Sequence, residues 1–267
     1  MHREAATIGH KTITYAITDD SGPAVRQRPR STIVFLHAFP LQAAMWEPTL
    51  GALPDGWRGV APEFRWEPGI RMTDLASDVV DLLDHLGVTQ AVVFGCSMGG
   101  YALFELLKSA PRYISAIGLV STRPGADSEE ARKNRQKMIE QVDREGVEAI
   151  ANQMVPKLVG ATTQRDRPDL MAHVRGLIMS NTGERVKAAV TAMMERSDAT
   201  PLLAKIEVPA LVVHGAEDTL IPPTEAEGMH RAIRNSQLEL IPLSGHLPNL
   251  EQPGPFDAIL SQFLKKL

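Results

Sequence analysis

Apolar positions along this chain follow two rhythms that take turns. Short, nearly continuous runs of β-branched and aliphatic residues stand at STIVFLH (31–37), QAVVFG (90–95), ISAIGLV (114–120) and VPALVVHG (208–215). Runs of this kind suit strands buried on both faces of a parallel sheet. Weaker strand patterns occur at TITYAI (12–17), RGVAP (58–62) and QLELIP (237–242). Between them the period lengthens. In TDLASDVVDLLDHLG, Leu75, Val79, Leu82, Leu83 and Leu86 fall at helical spacing, with Thr73 as the expected N-cap and Gly87 as the C-terminal stop. Further helices are predicted at MGGYALFELLKS (98–109), near 222–233 and within 253–266, and DDSGPAVRQRPR (19–30) reads as a loop. Strands that alternate with helices predict an α/β fold built from βαβ units, with a mostly parallel central sheet and helices on both faces.

The alternation stops in the middle of the chain. Residues 124–200 carry helical patterns over about 127–145, 146–159, 166–180 and 184–197, and no convincing strand. The expected organisation is therefore a core in two parts, 1–123 and 204–267, interrupted by an inserted α-helical cap at 124–203.

Composition narrows the chemistry. At 267 residues, with 43% hydrophobic and 22% charged residues, the chain has the mix of an ordinary globular protein with a large core. A net charge of −4 gives no footprint for nucleic acid or an anionic membrane surface. The single cysteine, Cys96, excludes an intrachain disulfide and a multi-cysteine metal site. The opening MHREAATIGHKTITY has no apolar signal-peptide core, and no apolar run has the length of a membrane span. A cytoplasmic location is expected, and oligomeric state leaves no signature in the sequence.

The candidate chemistry lies where strand patterns end, as an α/β sheet requires. FGCSMGGY contains G-x-S-x-G at the switch from strand to helix, with Ser97 at its centre. Glycines at both sides free the corner of side-chain clashes, and the helix N-terminus offers N–H groups to a developing oxyanion. Serine needs a base. Of the eight histidines, only His246, in LSGHLPNLEQP, has a loop position late enough to reach over the strand ends. His37 and His214 end strands and read as structural hydrogen-bonding residues; His85 and His230 lie in helical patterns. The base needs an orienting carboxylate, and HGAEDTLIP offers two neighbours, Glu217 and Asp218, directly after a strand.

Taken together, HAFPL (37–41), GCSMGG (95–100), HGAEDTLIP (214–222) and GHLPNLEQP (245–253) resemble the α/β-hydrolase-fold serine hydrolases over essentially the whole chain. The similarity points to the branch of small carboxylesterases, 3-oxoadipate enol-lactonases and cofactor-free perhydrolases. The resemblance implies the α/β-hydrolase fold and a triad of Ser97, Asp218 and His246, with the aspartate preferred to Glu217. It implies an oxyanion hole formed by the backbone N–H groups of Phe39 and Met98. It also implies a helical lid above the site, which here holds six of the 11 methionines: Met138, Met154, Met171, Met179, Met193 and Met194. Ala38 departs from the glycine usual in the family, and Pro40 matches the perhydrolase pattern.

The expected activity is hydrolysis of a small-molecule carboxylic ester or lactone through an acyl-enzyme. It calls for no metal and no organic cofactor, and for no nucleic-acid or membrane partner. Perhydrolysis and carbon–carbon bond hydrolysis are the alternatives within the fold; a ligand-binding regulatory protein that retains the triad is the alternative outside catalysis. Serine at 97 argues against the dehalogenase and epoxide hydrolase relatives, which use aspartate there.

Overall fold

A computed structural model describes residues 1–18 and 31–267. The loop expected at 19–30 lies outside the described residues. In chain order the strands are β1 (His2–Ile8), β2 (Lys11–Ile17), β3 (Ser31–Leu36), β4 (Trp57–Pro62), β5 (Ala91–Cys96), β6 (Ile114–Val120), β7 (Ala210–Gly215) and β8 (Ser236–Ile241). They form one eight-stranded sheet in the order β1-β2-β4-β3-β5-β6-β7-β8. β1 and β2 form an antiparallel hairpin and β2 runs antiparallel to β4, whereas β3 to β8 are all mutually parallel. Every residue of β5 and β7 is buried, so both faces of the central sheet are covered, as their unbroken apolar runs require.

The helices are α1 (Glu47–Gly51), α2 (Met72–His85), α3 (Met98–Ser109), α4 (Glu129–Leu158), α5 (Ala161–Asp166), α6 (Pro168–Met179), α7 (Gly183–Met194), α8 (Pro223–Ala232), α9 (Pro248–Glu251) and α10 (Pro253–Leu264). From Met98 to Leu107, α3 is buried all round, which matches a helix enclosed between the sheet and its neighbours. Four helices, α4 to α7, separate β6 from β7, and no strand interrupts them. Within this block α4 packs on α6 and α7. The boundary expected at 145/146 has a physical cause: Gly146 takes φ 74°, outside the helical region, and breaks α4 in two.

Three local expectations need revision. The N-cap of α2 is Arg71, not Thr73; Asp74 reaches back to accept a hydrogen bond from the Arg71 N–H at 2.8 Å. Position 73 lies inside the helix because this carboxylate satisfies the first turn better than a hydroxyl two residues later. Strand β1 was not foreseen. Five of its seven residues are exposed, so HREAATI shows little of the alternation that marks a strand. Short α5 also went unseen, because six residues carry too little period to register. By contrast, Gly87 stops α2 as expected, at φ 66°, with Val88 N–H bonded to Leu83 O at 2.8 Å.

The parallel arrangement has a direct consequence for chemistry. From β3 the chain crosses to β4 on one side and then to β5 on the other, so a crevice opens between the ends of β3 and β5. The carboxyl ends of β3, β5, β6, β7 and β8 lie along one edge of the sheet.

Candidate active site

Ser97 is the single residue between β5 and α3, with φ 51° and ψ −110°. A side chain with this backbone is strained by about 1–3 kcal/mol, so the surroundings must hold it. They do so from both sides: Ser97 N–H donates to Val120 O at 2.8 Å, and Thr122 Oγ1 donates to Ser97 O at 2.8 Å. The flanking glycines are needed for space. A Cβ on Gly95 would lie 2.5 Å from the Gly99 backbone, and one on Gly99 would lie 2.2 Å from Leu36 O. The motif G-x-S-x-G therefore encodes close approach between β3, β5 and α3.

The loop that follows β3 carries His37, Ala38 and Phe39. Ala38 N–H faces Met45 Sδ at 3.2 Å, and the Phe39–Pro40 peptide is cis. Asn181, at the end of α6, donates to Pro40 O at 2.9 Å and links the insertion to this loop. Among the described residues, neither the Phe39 nor the Met98 backbone N–H is engaged in a hydrogen bond. His37 is buried and structural: its Nε2 accepts from Phe64 N–H at 3.2 Å.

β7 and β8 supply the remaining groups. His246 Nδ1 lies 2.7 Å from Asp218 Oδ2, and both side chains are fully buried. Asp218 Oδ1 accepts from the Leu220 and Ile221 N–H groups at 2.9 and 3.0 Å, which fixes the carboxylate plane. Burial pushes the Asp218 pKa up, but His246, His214 and the Ile221 N–H more than offset it and hold it well below the usual carboxylate range. The carboxylate is thus charged, and it sets His246 with Nδ1–H toward Asp218 and Nε2 free. Nε2 is buried and makes no hydrogen bond, and Ser97 Oγ is not yet bonded to it.

Glu217, the adjacent acid, points elsewhere. It accepts from Thr162 N–H at 2.8 Å and Thr162 Oγ1 at 2.6 Å, contacts that lower its pKa and tie β7 to the insertion. The ambiguity between two neighbouring acids is one of side-chain direction, which adjacent sequence positions cannot express.

Several residues that support the site carry little or no signal in the sequence. His214 Nε2 lies 3.1 Å from Asp218 Oδ2 and 2.8 Å from Ile221 O, so this strand-end histidine braces the acid rather than merely the strand. Glu251 is buried, and its two oxygens accept from five groups, the longest bond coming from Ser244 Oγ to Oε1 at 3.5 Å. Oε1 takes Gly245 N–H (2.8 Å) and Leu247 N–H (3.1 Å); Oε2 takes Gly160 N–H (2.7 Å) and Thr163 Oγ1 (2.7 Å). The available clue is a carboxylate five residues after His246, in a turn whose intervening residues are apolar except for Asn249.

Above Ser97 is a cavity of about 550 Å³. Core residues Phe39, Ser97 and Tyr101 form its floor, and Met138, Met154 and Met193 come from α4 and α7. Of the six methionines in the insertion, these three reach the cavity; Met179 is exposed to solvent instead.

A parallel sheet with a strained serine corner after β5 and a buried Asp–His pair after β7 and β8 belongs to one class of proteins. The family model described as alpha/beta hydrolase fold matches residues 31–253, and the chain is a member of that family. Among its relatives is an esterase from Thermogutta terrifontis, solved with malate bound. It is 33% identical, with a TM-score of 0.89 over 100% of this chain and 99% of that one. 3-Oxoadipate enol-lactonase 1 of Acinetobacter baylyi is 28% identical over 88% of this chain and 89% of its own. The enol-lactonase of Burkholderia xenovorans LB400, at 23% identity and a TM-score of 0.87, has the same fold. Among the described residues, no helix is long and apolar enough to cross a membrane.

Proposed function

We propose that this protein hydrolyses carboxylic esters or lactones of small molecules through an acyl-enzyme on Ser97. The observation that carries the reading is the Asp218–His246 pair, 2.7 Å apart and buried, with the free Nε2 available to a serine on a strained corner. In the first half-reaction Ser97 Oγ attacks the carbonyl carbon while His246 Nε2 takes the hydroxyl proton. The carbonyl oxygen becomes an oxyanion, held by the N–H groups of Phe39 and Met98. The C–O bond to the leaving alcohol then breaks, and His246 returns the proton to that oxygen. Water repeats the attack with His246 as base, which releases the acid and restores Ser97. Asp218 stays ionised throughout; it holds the imidazole orientation and stabilises the imidazolium.

In this reading the inserted helices, 124–203, form a cap whose methionine-lined wall selects the acyl or alcohol group. Methionine is polarisable and unbranched, and such a wall accommodates varied shapes. The related esterase and enol-lactonases support the ester and lactone classes.

Labelling with a fluorophosphonate, peptide mapping and steady-state turnover of a short-chain ester test the reading together. Stoichiometric label on Ser97, multiple turnovers, and loss of both in Ser97→Ala are expected. Label at another residue would refute the assignment. A single turnover without recycling would instead favour a ligand-binding protein that retains the triad.

A further inference from the structure

The charge of the cavity above Ser97 is opposite to that of the molecule. The chain carries a net charge of −4, yet the cavity is lined by Arg123, Arg135, Lys137 and Lys157 and by no aspartate or glutamate. Two of these cations form a wall. Arg123 and Arg135, together with Arg196, converge on one carboxylate, Asp127. Asp127 is fully buried, and Arg196 is almost so, stacked 4.0 Å over the Tyr101 ring and bonded to the carbonyls of Gly125 (2.7 Å) and Met193 (2.8 Å). Arg196 therefore acts as a brace. The side chains of Arg123 and Arg135 remain 31% and 18% exposed, and these surfaces belong to the cavity.

Three guanidinium groups converge on one carboxylate, and Glu225 adds a longer-range attraction to Arg123, which still leaves positive charge in a partly desolvated wall. Burial pushes the Asp127 pKa up, but Arg135 and Arg196 outweigh it and keep the carboxylate ionised, so it neutralises only one of the three. At the mouth, Lys137 and Lys157 are exposed and form no ion pair among the described residues. A wall of this kind costs free energy when it stands alone, and an anion in the cavity offsets it. Guanidinium forks suit carboxylates, which they bind in pairs of parallel hydrogen bonds.

We propose that the cavity contains an anion subsite, formed by Arg123 and Arg135 and screened by Lys137 and Lys157, and that the substrate is an ester or lactone bearing a carboxylate. The carboxylate binds at the arginine wall, and the reacting carbonyl lies at Ser97. The chain between them runs along Met138, Met154 and Met193, whose sulfur meets Arg135 Nη1 at 3.5 Å. The geometry makes substrate length a selected property, because both ends are held. This inference rests on the hydrolase reading for the ester, but not for the anion site.

The test compares monomethyl esters of succinate, glutarate and adipate with the corresponding dimethyl esters, using the full-length enzyme at pH 7.5. A charge-assisted contact predicts kcat/KM ratios that favour the monoester by roughly 10- to 100-fold at the best chain length. That preference should shrink in 0.5 M KCl, a concentration chosen only to screen exposed charge. Arg123→Gln and the surface substitution Lys157→Gln should each lower the ratio, with thermal melts confirming that both variants fold. Calorimetry on Ser97→Ala with succinate, glutarate and adipate measures the anion site without catalysis. Dimethyl ester turnover combined with no monoester preference and no dicarboxylate binding would overturn the proposal and leave the hydrolase reading intact. Dicarboxylate binding that is weakened in Ser97→Ala/Arg123→Gln, without turnover of any ester, would uphold the anion site and refute the hydrolase reading.

Discussion

Cys96 and Ser97 are neighbours with opposite prospects. The cysteine is fully buried, and burial, reinforced by the charge of Asp218, pushes its thiol pKa far above the ordinary value. A thiol that does not ionise is a poor nucleophile. Fluorophosphonate should therefore modify Ser97, while iodoacetamide at pH 8 should modify Cys96 only after the protein is denatured; mass mapping of both reactions checks this. The acids divide in the same way. Asp218→Ala should lower kcat by a factor on the order of 10⁴, because His246 loses its orienting partner. Glu217→Ala should keep most of kcat, since among the described residues that carboxylate bonds only to Thr162 in the insertion. Asp257 gives a contrasting pH effect. Half-buried and with Oδ1 unpartnered, it has its pKa raised to about 6 by burial. The folded state therefore binds its proton more tightly than the unfolded state, and this site loses stability as pH rises from about 4 to about 6. Asp257→Asn should raise Tm at pH 7.5 and leave it unchanged at pH 3.5. Discounted for partial exposure, the gain is of order 1 kcal/mol, or roughly 2–4 °C.

At the scale of elements, the junction between α4 and α5 is bound to the histidine loop. Glu251 bridges the two segments, and the backbones nearly touch: a Cβ on Gly245 would lie 2.2 Å from Gly160 N. The same crowding extends into the core, where a Cβ on Gly215 would lie 1.8 Å from Gly245 O. This part of the inserted helices is clamped to the loop that carries His246. The non-helical backbone at Gly146 separates the earlier segment of α4 from this clamp. Glu251→Gln replaces one acceptor oxygen by a donor that faces N–H groups. It should cost about 2–3 kcal/mol in chemical denaturation. It should also lower kcat more than it changes KM, because Gly245 and Leu247 flank the base. An unchanged kcat in a folded Glu251→Gln variant would show that the clamp supports the cap alone.

For the whole molecule, the proposed function separates substrate choice from chemistry in space. Ser97, Asp218 and His246 follow the ends of β5, β7 and β8, and the methionine-lined wall of the cavity comes from the insertion between β6 and β7. Met138→Ala and Met154→Ala should change the relative kcat/KM of short and long acyl esters by about 1–3 kcal/mol, the worth of a methylene in an apolar pocket. Met179→Ala is the internal control, since that side chain is exposed to solvent and outside the cavity. Labelling of Ser97 by a small phosphonate should proceed at similar rates in all three. A loss of labelling with no change in ester preference would contradict this division.

The features legible in the sequence were those that depend on residues close along the chain. Apolar period separates β5 from α3, glycines mark the serine corner and the end of α2, and the loss of alternation outlines the insertion between β6 and β7. Each of these is a property of the backbone conformation that a short segment prefers. Tertiary structure decided what depends on side-chain direction and distant pairing. It turned Asp218 toward His246 and Glu217 toward Thr162, brought His214 onto the same carboxylate, and added the polar edge strand β1 to the sheet. It also gathered Arg123, Arg135 and Arg196, up to 73 positions apart by their numbers (196 − 123), around Asp127. Charges with no shared period carry no local signal; only the folded chain brings them close enough for Coulomb energy to act.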